Sequence, residues 1–172
     1  MKLSDYTDYS LRVLLYVAVR GAGTSKIKDI AAAYGISKNH LMKIVQQLGD
    51  QGWIETVRGR NGGLRLASRT LGLTIGDVVR LTEGDFALAP CVPDRHGNRR
   101  VCVIAAHCGL LRALEAAHRA FLDELDRHTV GELSQPQNSL AELLGVGVYI
   151  SLVVVATAPE PKPRSAAPRP AA

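Results

Sequence analysis

Cys91, Cys102 and Cys108 are all the cysteines of this 172-residue chain, and their type and spacing suit chemistry better than any other residues in it. They read C-x10-C-x5-C within a stretch broken by Pro90, Pro93 and Gly97 and carrying Arg95, Arg99 and Arg100. Such a stretch has neither a helical period nor a strand alternation, so it reads as a loop. Three thiols are one short of the four ligands that an iron–sulfur cluster normally takes from protein. They are also an odd number for a disulfide framework. Taken alone they fit unconnected thiols equally well, so the rest of the chain decides what they do.

The bulk composition narrows the classes. Hydrophobic residues at 47% with 22% charged residues describe a globular protein. Met1 to Ser10 is polar and carries Asp5 and Asp8, which does not read as a secretory leader. A reducing cytoplasm is therefore the expected setting, where grouped thiols serve metal or redox work. The apolar run from Val146 to Ala158 spans 13 residues, too short for a bilayer, so no membrane partner is expected. Residues 1–80 hold 12 Lys/Arg against 6 Asp/Glu, giving +6, whereas residues 81–172 hold 9 against 10, giving −1. A basic first half joined to a neutral second half suggests a polyanion-binding module with something attached.

From Asp5 to Arg20, apolar Tyr6, Tyr9, Val13, Leu14, Val17 and Ala18 recur at helical steps. Ser4 is placed to cap this helix, and Asp8 in its first turn complements the dipole. A second helix spans Lys26 to Tyr34, with Ile27, Ile30 and Ala31 inward. Gly35 then permits a turn, and Ser37 caps a third helix whose stripe is Leu41, Ile44, Val45 and Leu48. Helix, short Gly-containing turn, helix is the helix-turn-helix pattern. The remaining face of the third helix carries Ser37, Lys38, Asn39, His40, Lys43 and Gln47. These residues suit phosphates and base edges, Asn and Gln being able to pair adenine bidentately. No acid occurs between Ser37 and Gly49, which a merely solvated face would mix in.

Two alternating runs, Trp53 to Val57 and Gly63 to Leu66, flank a Gly- and Asn-rich tip and read as a hairpin. Following a helix-turn-helix, it is a wing, with Arg58, Arg60 and Asn61 at the tip where a minor groove would receive them. A short helix from Thr74 to Leu81 leads into the cysteine stretch, and a long one runs from Cys108 to about His128. Leu111, Leu114, His118, Phe121 and Leu125 make a seam on it, suited either to the protein's own core or to the same helix of a second copy. Short helices over Thr129 to Leu133 and Ser139 to Leu144 follow.

The fold class is therefore mainly α, a winged helix-turn-helix domain plus a cysteine loop and a long dimerisation helix. Its expected divisions are 1–81 for DNA binding, 82–107 for the loop, 108–145 for the long and short helices, and 146–172 for a hydrophobic, Pro-rich and disordered tail.

The segments SDYTDYSLRVLLYVA, YGISKNHLMKIVQQL, VRGRNGGLRLA and TIGDVVR, followed by a cysteine triplet and a long helix, resemble one family. It is the iron–sulfur winged-helix regulators, the family that includes IscR, and within it the nitric-oxide-responsive repressors. The resemblance covers about Met1 to Leu144. It implies a homodimeric repressor of double-stranded operator DNA holding a [4Fe-4S] cluster, or alternatively a [2Fe-2S] cluster, on Cys91, Cys102 and Cys108. It also implies that Asp8 from the partner subunit is the fourth ligand, and that nitric oxide is the signal that releases DNA. The family's other ligand pattern has a His three residues after the last cysteine. Here that position is Leu111, and neither His96 nor His107 has that offset. The gap between Cys91 and Cys102 is longer than usual for the family, and the tail beyond Gly145 is not part of its pattern.

Two other regulator readings stand beside this one: thiols that act directly or bind zinc, and an iron–sulfur-homeostasis regulator of the same family. No nucleophile–base–acid set and no phosphate loop occurs, so enzymatic turnover is not expected.

Overall fold

Helix α1 (Asp5–Arg20) is apolar on nearly every side of its second half, with Val13, Leu14, Tyr16, Val17, Ala18 and Val19 all buried. A helix of that kind must be surrounded, and the remaining elements stack around it. The computed structural model describes residues 2–84, 88–92 and 97–147. Pro93, Arg95, His96 and residues 148–172 of the tail expected over 146–172 lie outside these residues.

Around α1 pack α2 (Ile27–Tyr34), α3 (Lys38–Asp50), the strands β1 (Ile54–Val57) and β2 (Gly63–Leu66), and α4 (Ile75–Thr82). After the cysteine stretch come α5 (Gly109–Leu125), α6 (Val130–Leu133) and α7 (Gln137–Leu144). The structure is mainly helical with one two-stranded antiparallel sheet, the winged helix expected from the sequence. The helix and strand bounds agree with the sequence reading to within one or two residues, apart from the C-terminal end of α5. Two 3-10 turns, Ser68–Gly72 and Ala105–His107, were not expected.

The helix-turn-helix is organised by its turn. Gly35 sits at φ 64, ψ 29, and the Ile36 N–H reaches back to the Ala31 carbonyl at 3.0 Å. That left-handed conformation suits glycine, and the buried Ile36 supplies the apolar contact that accompanies such a helix end. The stripe Leu41, Ile44, Val45 and Leu48 is buried as expected. Ser37 occupies the cap position of α3, but its hydroxyl makes no capping hydrogen bond.

In the wing, Ile54 pairs with Leu66, Glu55 with Arg65, Thr56 with Leu64 and Val57 with Gly63. Ile54 and Leu64 face the core. The hairpin is anchored to the chain before α2, where Ser25 and Leu64 exchange backbone hydrogen bonds of 2.8 and 2.7 Å. Near its tip the Thr24 hydroxyl donates to the Asn61 carbonyl at 3.0 Å.

Helix α4 begins with a capping box between Thr74 and Asp77. The chain after α5 returns to this point: Ile75 N–H donates to the His128 carbonyl, and Val130 N–H to the Leu73 carbonyl, both at 2.9 Å. Asp126 closes the junction by taking both guanidinium nitrogens of Arg80, at 2.7 and 2.6 Å. Gly76 is required there, since a Cβ would stand 1.9 Å from Asp126 Oδ1. Helices α6 and α7 then pack back on α1, and Val146, just past α7, is buried in the same core.

Candidate functional site

The first of two candidate regions is the face formed by α3 and the wing. Its core stripe points the other side of α3 outward, leaving Ser37, Lys38, Asn39, His40 and Lys43 exposed. Arg58, Arg60 and Asn61 are exposed at the wing tip. Among the described residues, several cations elsewhere have acidic partners, such as Arg12 with Asp8, Arg65 with Glu55, and Arg80 with Asp126. Lys38, Lys43, Arg58 and Arg60 have none. Unneutralised cations on one face are what a phosphate backbone requires. The unused Ser37 hydroxyl and the free N–H groups of the first turn of α3 add phosphate donors.

Gln47 departs from this set. It is half-buried, and its side-chain Oε1 accepts the Tyr6 hydroxyl of α1. Arg69, also near the wing, is exposed but tied to the backbone: its guanidinium donates to the Gln51 and Gly52 carbonyls and holds the bend between α3 and β1.

The second region is the cysteine stretch. All three cysteines are free thiols and half-buried. The long Cys91–Cys102 gap closes on itself, because the Arg100 N–H donates to the Pro90 carbonyl at 2.8 Å. Val92 anchors the stretch by being buried. From Cys102 to Cys108 the backbone coils through the 3-10 turn, starting with Ala105 N–H on the Cys102 carbonyl at 3.0 Å. Cys108 caps α5, its sulfur accepting the Leu111 N–H at 3.4 Å, so an anionic group held there faces the positive end of the helix.

In kind, this donor set fits an iron–sulfur cluster: three free thiols, none sealed in the core. Among the described residues, however, no three His, Cys, Asp or Glu side chains stand close enough to hold a metal ion in the single chain. Asp8 lies on α1, where Arg12 Nε donates to both its carboxylate oxygens at 2.9 Å. That pair holds the Arg12 guanidinium above its ordinary pKa. The Arg12 guanidinium in turn lies 5.5 Å from the centre of the Tyr34 ring, at the end of α2. The i,i+4 spacing of Asp8 and Arg12 is a signal for this pair that the sequence reading left unused.

Helix α5 buries Leu111 and half-buries Leu114, His118, Phe121 and Leu125. Leu122 and Leu125 pack on the core, whereas Leu110 is 67% exposed and Val101, Val103 and Ile104 just before it are exposed as well. Leu111, at the position of the family's alternative ligand, is a buried packing residue. Among the described residues no helix is long and apolar enough to cross a membrane.

Comparison with known proteins gives a consistent picture. The family model Rrf2, described as an iron-dependent transcriptional regulator, matches residues 3–136. The chain is 49% identical over 145 residues to the HTH-type transcriptional regulator NsrR of Geobacillus kaustophilus, covering 84% of this chain and 97% of that protein. It is 46% identical over 145 residues to NsrR of Bacillus licheniformis, covering 84% and 99% respectively. Among solved structures, the oxidized form of Staphylococcus aureus CymR is similar with a TM-score of 0.60 at 28% identity, covering 78% of this chain and 97% of that one.

Proposed function

The chain belongs to the Rrf2 family of transcriptional regulators, and on that premise we propose that it is a nitric-oxide-responsive repressor. In this reading it binds operator DNA as a homodimer while a [4Fe-4S] cluster is held on Cys91, Cys102, Cys108 and Asp8 of the partner subunit. One observation carries the reading: the three free cysteines occupy the stretch between α4, the last helix of the winged part, and α5, whose seam is incompletely covered. A group held there sits between the DNA reader and the helix that would join two copies. The bound cluster would supply an iron whose carboxylate ligand is harder and weaker than thiolate, the point open to nitric oxide.

The chain's own residues do the rest. Lys38, Lys43, Arg58 and Arg60 neutralise phosphates, and Asn39 reads a base edge. Helix α5 joins the copies and fixes the spacing of the two α3 helices, to which half-site matching is sensitive. Asp8 must leave Arg12 to serve the other subunit. Both side chains of that pair are 44% exposed, so the exchange costs no more than about 1 kcal/mol.

Anaerobic purification tests the reading. Brown protein with iron and sulfide, tight on operator DNA and released by nitric oxide, is the expected result. Colourless protein lacking iron would leave the direct-thiol or zinc regulator in its place.

A further inference from the structure

Asp8 is held by more than Arg12. The turn of α1 that carries it is tied to the last turn of α4 by hydrogen bonds that cross 79 and 75 positions of sequence. Ser4 N–H donates to Glu83 Oε1 at 2.7 Å, and the Thr7 hydroxyl donates to Thr82 Oγ1 at 2.8 Å. The Thr82 hydroxyl has its own acceptor, the Val78 carbonyl at 2.8 Å. Thr82 is therefore the acceptor from Thr7, and the Thr7 oxygen is free to accept from Ser4 Oγ at 3.1 Å. One directed chain, Ser4 to Thr7 to Thr82 to Val78, runs from helix to helix. The Ser4 oxygen also takes the Thr7 N–H at 3.2 Å, and the Ser4 carbonyl takes the Asp8 N–H at 3.0 Å.

An ordinary helix cap accounts for the bonds inside α1. It does not account for a fully buried Thr7 hydroxyl directed at another helix, nor for Glu83 reaching the Ser4 N–H. Glu83 immediately follows α4, and the chain proceeds from it through Gly84 toward Cys91. The same bonds thus fix the start of the path to the cysteines and the turn that presents Asp8.

We propose that Ser4, Thr7, Thr82 and Glu83 form a clasp that positions Asp8 against the root of its own chain's cysteine stretch and thereby couples the two metal sites of a dimer. The inference rests on the reading that Asp8 of each copy completes the site of the other. Each clasp then links the cysteines of one site to the carboxylate ligand of the second, and two-fold symmetry closes these links into a ring. Release of Asp8 in one copy shifts the α4 end of that copy, and with it the approach to that copy's cysteines. Coupling of this kind is a property of two sites with a shared element, and it is reciprocal.

Native mass spectrometry of anaerobic dimers tests it, counting dimers with two, one and no clusters as nitric oxide or an iron chelator is added. In wild type, one-cluster dimers should be depleted about fivefold or more below their binomial share. Thr7→Val, which keeps the shape but removes the hydroxyl, should restore that share, as should Glu83→Ala. Glu83→Gln keeps an acceptor oxygen for Ser4 N–H and should behave as wild type. A binomial wild type, or a Thr7→Val dimer as depleted as wild type, overturns the coupling. Wild type that never takes up iron overturns the cluster reading itself, a different outcome. Hydrogen exchange on metal-free protein is a second, independent readout: Thr7→Val should speed exchange at both Asp8 and Glu83. Faster exchange confined to α1 would reduce the clasp to a local cap.

Discussion

On the α3 and wing face, each exposed side chain stands on a helix or hairpin whose inner side is sealed by Leu41, Ile44, Leu48, Ile54 and Leu64. In the cysteine stretch, the described backbone is held by a few contacts such as Pro90 with Arg100 and Cys102 with Ala105, and among the described residues of 88–108 only Val92 is buried. The reading face is complete in one chain, whereas among the described residues the cysteine stretch does not bring three ligands into one site. The difference teaches where each function gets its order. A surface that recognises a rigid duplex gains by being preformed, because ordering it on binding would cost affinity. A ligand set that closes around a metal takes its last ordering from the metal, and can lose it again.

The sharpest break of this comparison is a cysteine. Replacing Cys91, Cys102 or Cys108 by Ala should abolish iron retention while leaving the melting temperature of the metal-free protein unchanged, since none of the three is a core residue. A brown Cys91→Ala protein with full iron would show that the long Cys91–Cys102 gap does not bring its first cysteine to the site. Against that, Leu41→Ala on the fully buried side of α3 should cost about 2–5 kcal/mol of stability. Iron retained per folded molecule should not change. Iron lost in step with stability would mean that reader and cysteine stretch fold as one inseparable unit.

Within the reading face, two substitutions should separate positioning from reading. Arg60→Ala should weaken binding to operator and random DNA alike and lower the salt slope by about one unit. Asn39→Ala should cost on the order of 1–3 kcal/mol of discrimination at one base position. Equal losses on both DNAs from both variants would erase that division of labour.

The same contrast explains what could be read from sequence. Helix α1 was legible from Ser4 to Arg20 because a long apolar period and a cap agree. The helix-turn-helix was legible because Gly35 and the Leu41–Leu48 stripe leave little alternative. Side chains whose partners lie far away in sequence were not legible: Gln47 accepts from Tyr6, and Glu83 from the Ser4 N–H. Ser37 has the residue type of a cap but not the bond. The 3-10 turn at Ala105–His107 has no period to announce it and forms from local backbone bonds between two cysteines. Asp8 reads by its spacing alone as a first-turn acid complementing the dipole of α1, and its observed partner, Arg12, lies one turn further on.

The smallest expected effect concerns the joint between the two regions, where Arg80 of α4 grips Asp126 just past α5. The Arg80 guanidinium holds the Asp126 carboxyl below the usual carboxylate range, chiefly through its hydrogen bonds and with help from the Thr74 hydroxyl. A carboxyl with a depressed folded-state pKa contributes stability above its unfolded pKa, and that contribution is lost as pH falls through the folded value. Both side chains are partly exposed, so solvent screening limits the pair to about 1 kcal/mol or less. Asp126→Asn keeps an acceptor for Thr74 and fits beside Gly76, so it removes the charge with little change of shape. Wild type should therefore melt slightly higher than Asp126→Asn at neutral pH, and the two curves should converge as acid protonates Asp126. Melting temperatures measured across the acid range decide it. A gap that persists unchanged into acid would mean that packing at Gly76, not the ion pair, joins the reader to the helix beyond the cysteines.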